Sequence, residues 1–173
     1  MSYELPGLPI HPIYETRLWK EKYLDPGWSD IPGRLGPLVF VNGCFDLFHA
    51  GHAFILQTAF SGGKTSVFDR LVVALNSDES VRRRKKRLFN ELVNRMYTVM
   101  SVGVVDYVTW FDEDTPKDLL ARFKPHTWIH GYDPDNEPRT RLPEHEDFGG
   151  EIFWVPNFLK YSTTLLIDRI KAT

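Results

Sequence analysis

Short apolar runs recur along most of this chain, and polar or glycine-bearing segments separate them. Such runs, bounded by turn residues, are typical of strands that are buried on both faces of a parallel sheet. They predict five strands, at 38–41, 69–75, 105–110, 127–130 and 152–155. Apolar positions with helical spacing lie at 53–60, 92–104, 117–123 and 162–171. Strands that alternate with helices predict an α/β fold, a doubly wound parallel sheet with helices on both faces.

The first 37 residues follow neither pattern. They interleave prolines with aromatic residues, Trp19 and Trp28 among them, and leave room for one short helix around 15–23. We therefore divide the chain into an N-terminal arm, 1–37, and a domain, 38–173. The arm is expected to pack across the domain as a strap; a dimer contact or a substrate lid is the alternative.

The first predicted strand runs directly into a glycine turn and a pair of histidines. Gly43 is expected to adopt backbone angles that a side chain would forbid, and Gly51 to let a phosphate approach the main chain closely. His49 and His52 are three residues apart, so on a helical turn their imidazoles point the same way. The amide groups of a helix N-terminus add partial positive charge at the same place. This segment therefore predicts a site for the phosphates of a nucleotide.

Residues 44–52, CFDLFHAGH, resemble the H-x-G-H signature of the cytidylyltransferase-like nucleotidyltransferases. That family holds glycerol-3-phosphate and ethanolamine-phosphate cytidylyltransferases, heptose-phosphate adenylyltransferases and archaeal-type FAD synthetases. Further matches follow in family order, at 74–79, 94–96, 105–108 with 111–116, and 162–164. The resemblance covers roughly residues 38 to 170. It implies a Rossmann-like fold and transfer of a nucleotidyl group from a nucleoside triphosphate to a small phosphorylated or phosphonate acceptor, with release of pyrophosphate.

The resemblance also implies roles for individual residues. His49 and His52 would contact the triphosphate and stabilise the transition state, and Lys85 or Lys86 would neutralise its phosphates. The other nucleotide-binding candidates are Asn42, Gly43, Cys44, Phe45, Asp46, Gly51, Arg95, His130, Gly131, Asp133, Ser162, Thr163 and Thr164. The candidates for binding the acceptor are Asp78, Arg139, Arg141 and Lys160.

Several of these residues also have simpler explanations. Asp78 and Ser162 are good helix caps whether or not they bind a substrate. The two histidines are alternatively structural, or part of a zinc site with Cys44, although a zinc site needs a fourth ligand and none stands at a suitable spacing. We expect no metal held by the protein. Residues 63–65, GKT, do not form a P-loop, because that motif requires a glycine where Thr58 stands.

The run 82–87, RRRKKR, concentrates basic residues in one place. We interpret it as a mobile loop that closes over bound triphosphate; a solvated loop and a nucleic-acid patch are the alternatives. The formal net charge of the chain is only −2, so no nucleic-acid or membrane partner is expected. A single cysteine, with neither a secretory signal nor a membrane span apparent, makes a cytoplasmic location the expectation.

Two features depart from the family pattern and suggest another class of function. Val93 stands where the family has a glutamate near the arginine matched by Arg95, and Phe158 to Tyr161 replace basic and glycine residues before Ser162. A catalytically lapsed nucleotide-binding or regulatory protein is therefore the alternative to an enzyme.

The choice of substrate is less well defined. Residues 111–116 resemble heptose-phosphate adenylyltransferases, which use ATP, whereas 128–133 resemble ethanolamine-phosphate cytidylyltransferases, which use CTP. CTP is slightly favoured here, and ATP-dependent adenylylation of a sugar phosphate or FMN is the alternative. Mg²⁺ is expected to accompany the triphosphate. Family members are often homodimers, so a homodimer is a further expectation that the resemblance carries.

Overall fold

The computed structural model describes residues 12–28, 31–67, 69–84, 87–132, 148–156 and 161–173, with the backbone alone for Ile31 and Pro32. The strands in it are β1 (Leu38–Gly43), β2 (Arg70–Asn76), β3 (Tyr107–Phe111), β4 (Thr127–Tyr132) and β5 (Glu151–Pro156). The helices are α1 (Arg17–Lys22), α2 (Ile31–Leu35), α3 (Ala50–Thr58), α4 (Asp78–Arg84), α5 (Leu92–Met100), α6 (Lys117–Phe123) and α7 (Thr163–Lys171). A 3₁₀ turn, Pro12–Glu15, precedes α1, and a π turn, Ala59–Gly63, follows α3.

The five strands form one parallel sheet in the order β3-β2-β1-β4-β5. Separate apolar clusters cover its two faces, one built around α3 and α5 and the other around α6. The predicted doubly wound sheet with helices on both faces is therefore confirmed. Because the strand order reverses at β1, the carboxyl ends of β1 and β4 flank the crevice where sheets of this kind bind ligands.

Helix α4 differs from the sequence prediction. Arg82, Arg83 and Arg84 were expected in a loop, but they form the last turn of a helix whose first turn holds Asp78 and Glu79. Acidic residues at the start of a helix and basic residues at its end both stabilise the helix dipole. The basic run is therefore helical in its first half, and the prediction of a loop was wrong there.

Residues 14–24 pack against the domain. Trp19 is fully buried, stacks on Tyr23 at 5.2 Å and belongs to the cluster on the α5 face. The Lys22 ammonium donates to the carbonyl oxygens of Met100 and Val105, at 2.9 and 2.7 Å. Carbonyl groups at the end of a helix lack partners within it, so this lysine satisfies the end of α5, which stops at Met100 rather than at the predicted residue 104.

Candidate functional site

The loop between β1 and α3 contains two residues in the left-handed region, Phe45 with φ 52° and Leu47 with φ 44°. Gly43, in contrast, does not have a positive φ, so the backbone freedom predicted for it is not used. A Cβ atom at Gly43 would lie 3.1 Å from the ring of Phe45. A side chain at this position would crowd the Phe45 ring, which the loop folds back over the end of β1.

The side chains of His49 and His52 are held in place at the start of α3 by main-chain hydrogen bonds and by stacking of their rings. His49 is the N-cap residue, and its Nδ1 accepts a hydrogen bond from the amide of Gly51 at 3.1 Å. The Nδ1 of His52 accepts from the amide of His49 in a longer contact of 3.4 Å. The two rings stack with their centroids 3.8 Å apart. Since both Nδ1 atoms act as acceptors, each neutral ring carries its hydrogen on Nε2.

The protonation of His49 follows from its surroundings. Burial lowers the pKa of the His49 imidazole below its ordinary value of 6.5, because the charged form loses hydration. At neutral pH the ring is therefore neutral. Such a ring can donate one hydrogen bond through Nε2 to an anionic oxygen while its Nδ1 holds the helix cap.

A cleft of about 330 Å³ opens beside the histidine pair. This volume is within the range of small-molecule sites. It is bounded by the start of α3, the carboxyl ends of β4 and β5, and the start of α7. Its lining residues are His49, Gly51, His52, Phe54, Ile55, Gly131, Tyr132, Val155, Pro156, Tyr161, Ser162, Thr163 and Thr164.

Two glycines shape this cleft. A Cβ atom at Gly51 would lie 2.8 Å from the carbonyl oxygen of Tyr161, and one at Gly131 would lie 2.9 Å from Ile55. Gly51 was expected to admit a phosphate, but within the described residues the close neighbour is the chain entering α7. The glycine thus brings the starts of α3 and α7 together around one cleft.

The start of α7 is joined to the β1–α3 loop. The Ser162 hydroxyl accepts from the amide of Leu165 at 3.2 Å, which makes Ser162 the N-cap residue. The Thr163 hydroxyl donates to the carbonyl oxygen of Asp46, also at 3.2 Å. Two helix N-termini, each with partial positive charge, therefore face the same cleft.

Asp46 braces the loop and does not face the cleft. Its side chain is buried, with the residue only 5% exposed. Oδ2 accepts from the amide of Phe89 at 2.9 Å, and Oδ1 accepts from the amide of Asn90 at 3.0 Å. The carboxylate thus holds the segment before α5 against the β1–α3 loop. These contacts are structural, and the predicted role of Asp46 in nucleotide binding stays a prediction.

Arg95 is a second internal brace. Its side chain has no exposed surface. The guanidinium donates to the carbonyl oxygens of Cys44 at 2.6 Å, Asn76 at 2.9 Å and Asn90 at 2.9 Å, and forms an ion pair with Asp78 at 2.7 Å. Both Arg95, predicted to bind nucleotide, and Asp78, predicted to bind the acceptor, are therefore engaged inside the protein. We describe them as positioning residues.

Asn42 and His130 also lie outside the cleft lining. The Asn42 Oδ1 accepts from the indole N–H of Trp128 at 2.8 Å. The His130 ring lies 4.3 Å from the Trp128 ring and 5.1 Å from that of Trp154. The three rings form an aromatic row along β4 and β5, whereas Gly131 and Tyr132 reach the cleft. Asn42 and His130 therefore lie beside the cleft, and their predicted contact with the nucleotide stays a prediction.

The cleft joins residues that the sequence predicted and residues that it did not. His49, Gly51, His52, Gly131, Ser162, Thr163 and Thr164 were predicted. Tyr132, Val155 and Pro156 were missed, although the rule that ligands bind at the carboxyl ends of parallel strands could have pointed to them. Lys85, Lys86, Asp133, Arg139, Arg141 and Lys160 lie outside the described residues.

A larger cavity, of about 600 Å³, lies near the amino ends of β4 and β5, beside α6. Its lining includes Lys117, Lys124, His126 and Phe148, and none of the predicted site residues. Ligands of doubly wound sheets bind at the carboxyl ends of the strands, so size does not make this cavity the candidate site.

The described ranges contain neither a metal-binding cluster nor a helix suited to spanning a membrane. No group of three or more histidine, cysteine, aspartate or glutamate side chains there is close enough to hold a metal ion. The alternative of a zinc site with Cys44 thus has no donor set in this part of the chain. Within the same ranges, none of the helices combines the length and the apolar character that crossing a bilayer requires.

The sequence and the fold were compared with those of known proteins. The chain is 41% identical to the D-beta-D-heptose 1-phosphate adenylyltransferase of Bordetella bronchiseptica, over 80% of this chain and 85% of that protein. It is 40% identical to the bifunctional protein HldE of a Marinomonas species, over 76% of this chain but only 27% of that protein. The chain therefore spans about a quarter of the bifunctional relatives that it matches.

The crystal structure of the lipopolysaccharide core biosynthesis protein of Thermoplasma volcanium has a similar fold. Its TM-score is 0.53 at 20% identity, over 69% of this chain and 94% of that one. The family model described as cytidylyltransferase-like matches residues 40–169. The chain belongs to this cytidylyltransferase-like family.

Proposed function

We propose that this protein is a nucleotidyltransferase that transfers AMP from ATP to the phosphate of a phosphorylated sugar and releases pyrophosphate. The name of the Bordetella relative, an adenylyltransferase, favours ATP, and with it the alternative that the sequence offered, over CTP. A sugar 1-phosphate of the heptose class, as in the name of the Bordetella relative, is the acceptor that we infer.

The observation that carries the proposal is the histidine pair between two helix N-termini. The Nδ1 atoms of His49 and His52 accept main-chain hydrogen bonds, and both rings line the same cleft as the start of α7. Nε2–H groups and helix-terminal amides are donors suited to phosphate oxygens. Their convergence supports binding of a triphosphate and transfer of its nucleotidyl group.

In the reaction, an oxygen of the acceptor phosphate attacks the α-phosphorus of ATP. A new phosphorus–oxygen bond forms, and the bond from the α-phosphorus to the bridging oxygen breaks. Pyrophosphate leaves with the bonding electron pair. No proton has to be removed, because the attacking phosphate is already ionised. The protein therefore has to align the two phosphates and stabilise the negative charge on the α-phosphoryl oxygens.

The residues share this task as follows. His49 and His52 donate from Nε2 to the α-phosphoryl oxygens. The hydroxyl of Thr164 and the amides of Thr163 and Thr164, in the first turn of α7, bind the triphosphate. Lys85 or Lys86 adds positive charge. Tyr132, Val155 and Pro156 give the cleft an apolar side, which we assign to the nucleoside.

Mg²⁺ would reach this site on the triphosphate. The described residues form no cluster of three metal-binding side chains. Both carboxylate oxygens of Asp46 accept hydrogen bonds from main-chain amides. Mg²⁺ retains water and is commonly held by substrate phosphates with few protein ligands, so the donor set fits an ion bound mainly by ATP. When bound, it supplies neutralisation of phosphate charge.

The alternative of a lapsed enzyme rested partly on Val93. This residue is 3% exposed and belongs to the apolar cluster beside α5. The valine therefore fills a core position, and no charged group of the cleft is lost through it. The departure from the family pattern at this position gives no support to loss of activity.

Pyrophosphate release tests the proposal. ATP, CTP, GTP and UTP are each supplied with Mg²⁺ and a panel of sugar phosphates and FMN, to the wild type and to His52→Ala. We expect release that requires ATP and a sugar phosphate and falls about 10²-fold or more in the variant. Tight nucleotide binding without release from any combination would support the lapsed-enzyme alternative instead.

A further inference from the structure

The three arginines of the last turn of α4 have different surroundings. Arg83 forms ion pairs with Asp112 at 3.6 Å and Asp114 at 3.5 Å. Arg84 donates to the carbonyl oxygen of Asp114 at 3.1 Å. Arg82 is exposed and makes no hydrogen bond or ion pair with any residue in the described ranges. Of the three guanidinium groups, that of Arg82 is therefore the one without a polar partner in the described ranges.

The direction of each arginine follows from the helix. With about 100° of rotation per residue, Arg82 is about 40° from Asp78 around the helix axis. By the same rotation Arg83 and Arg84 are about 140° and 120° away from Asp78. Residues four apart are also neighbours on a helix surface. Arg82 thus shares the helix face of Asp78, and the other two arginines do not.

The sheet order shows which neighbouring strand the Asp78 and Arg82 face of α4 lies toward. Arg83 and Arg84 contact the loop after β3, which lies on one side of β2. Asp78 instead pairs with Arg95, whose guanidinium bonds the carbonyl oxygen of Cys44 just after β1 on the other side of β2. Arg82 is therefore directed toward the β1 side, where the loop to His49 and His52 begins.

We propose that Arg82 binds a phosphate group of the substrates, on the flank of the histidine pair opposite to the cleft over β4 and β5. This inference rests on the proposed function and deepens it. Asp78 was the acceptor candidate on this flank, but its carboxylate is held by Arg95. An unpaired guanidinium next to it is a bidentate phosphate ligand. The acceptor phosphate and the triphosphate share this chemistry, and the test separates them.

The experiment compares Arg82→Gln with Arg83→Gln, which removes the same charge one residue away. Arg82→Lys is a third variant, because lysine keeps the charge without the bidentate geometry. KM is measured for ATP and for the sugar phosphate, and the binding of pyrophosphate and of the sugar phosphate is titrated by calorimetry. Thermal unfolding verifies that each variant is folded.

We expect Arg82→Gln to raise one KM by on the order of 10-fold or more, with Arg82→Lys between it and the wild type and Arg83→Gln close to the wild type. A rise in the KM of the sugar phosphate assigns Arg82 to the acceptor, and a rise in that of ATP assigns it to the triphosphate. Equal effects of Arg82→Gln and Arg83→Gln would overturn the inference while leaving the proposed function intact. If the wild type released no pyrophosphate, the proposed function would fail. Calorimetric affinities of Arg82→Gln for both pyrophosphate and the sugar phosphate that equal those of the wild type would then reject this inference separately.

Discussion

The Arg95 guanidinium donates to the main-chain carbonyl oxygen of Cys44 at 2.6 Å, joining α5 to the loop that carries the two histidines. The same group pairs with Asp78, so removing it leaves a partly buried carboxylate without its counter-charge. We expect Arg95→Ala to lower the free energy of unfolding by on the order of 3 kcal/mol and to reduce kcat as well. Urea unfolding and steady-state kinetics measure the two effects.

The matched control for Arg95 is Asp78→Asn, which keeps a side chain of similar size beside the guanidinium. It removes the ion pair but leaves the bond from Arg95 to Cys44 available. We therefore expect a smaller loss of kcat than for Arg95→Ala. A larger loss of kcat for Asp78→Asn would contradict the positioning role and would return Asp78 to the substrate contacts.

His49 has two separable functions, capping α3 and donating to phosphate. Asparagine is a strong N-cap residue but has no imidazole. In His49→Asn we expect unfolding free energy within about 1 kcal/mol of the wild type and kcat lower by about 10² or more. His49→Ala should lose a similar factor in kcat and also the cap. Full activity of His49→Asn would show that only the cap matters.

Gly51 permits the close contact between α3 and the chain entering α7. In Gly51→Ala the new Cβ would lie 2.8 Å from the Tyr161 carbonyl oxygen, and such overpacking costs about 1–3 kcal/mol. We expect the start of α7 to shift and the KM for ATP to rise. Gly103→Ala is the control, because nothing lies within 4 Å of a Cβ atom there. Identical ATP kinetics in the two variants would argue against a role of this contact in binding.

The lowered pKa of Asp69 makes the free energy of unfolding depend on pH. Burial alone would raise the pKa of this carboxyl, but hydrogen bonds from Thr65 and Ser66 and the nearby His126 outweigh it and lower the pKa below the ordinary value of 3.8. A lowered folded-state pKa contributes stability above the unfolded value of 3.8, and that stability is lost as the pH falls through the folded pKa.

We therefore expect Asp69→Asn to cost on the order of 2 kcal/mol at pH 7, where the charged hydrogen bonds are lost. The gap to the wild type should narrow as the pH falls below 3.8, because the wild type then loses the same contribution. Urea titrations across this range give the two curves. Parallel curves would mean that the carboxylate charge does not stabilise the fold.

The sequence predicted the sheet because buried parallel strands are short apolar runs, and the runs around Val41 and Val73 are clear cases. It also predicted that His49 and His52 lie together at a helix start, because residues three apart in sequence are neighbours on a helix. It could not predict that Phe45 and Leu47 adopt left-handed angles, since glycine is the residue that normally signals them. Asp78 was predicted as a helix cap, but the extent of α4 was not predicted, because the basic run suggested a mobile loop.

The internal contacts of three predicted site residues could not be predicted from the sequence, for one physical reason. Arg95, Asp46 and Asp78 are charged, and charged side chains near a site suggest contact with a ligand. Their actual partners are main-chain groups and one another, brought together from β1, β2 and the chain before α5. A local pattern carries no information on contacts between segments that are distant in sequence.

The most direct test of the proposed chemistry is the identity of the product. The enzyme is incubated with equal ATP and CTP, Mg²⁺ and a heptose 1-phosphate, and the product is analysed by mass spectrometry and ³¹P NMR. The proposal predicts an ADP-sugar, with two coupled phosphorus signals and one pyrophosphate per product. A CDP-sugar would contradict the choice of ATP, and the absence of any nucleotide-sugar with this or other sugar phosphates would contradict the transfer to a sugar phosphate itself.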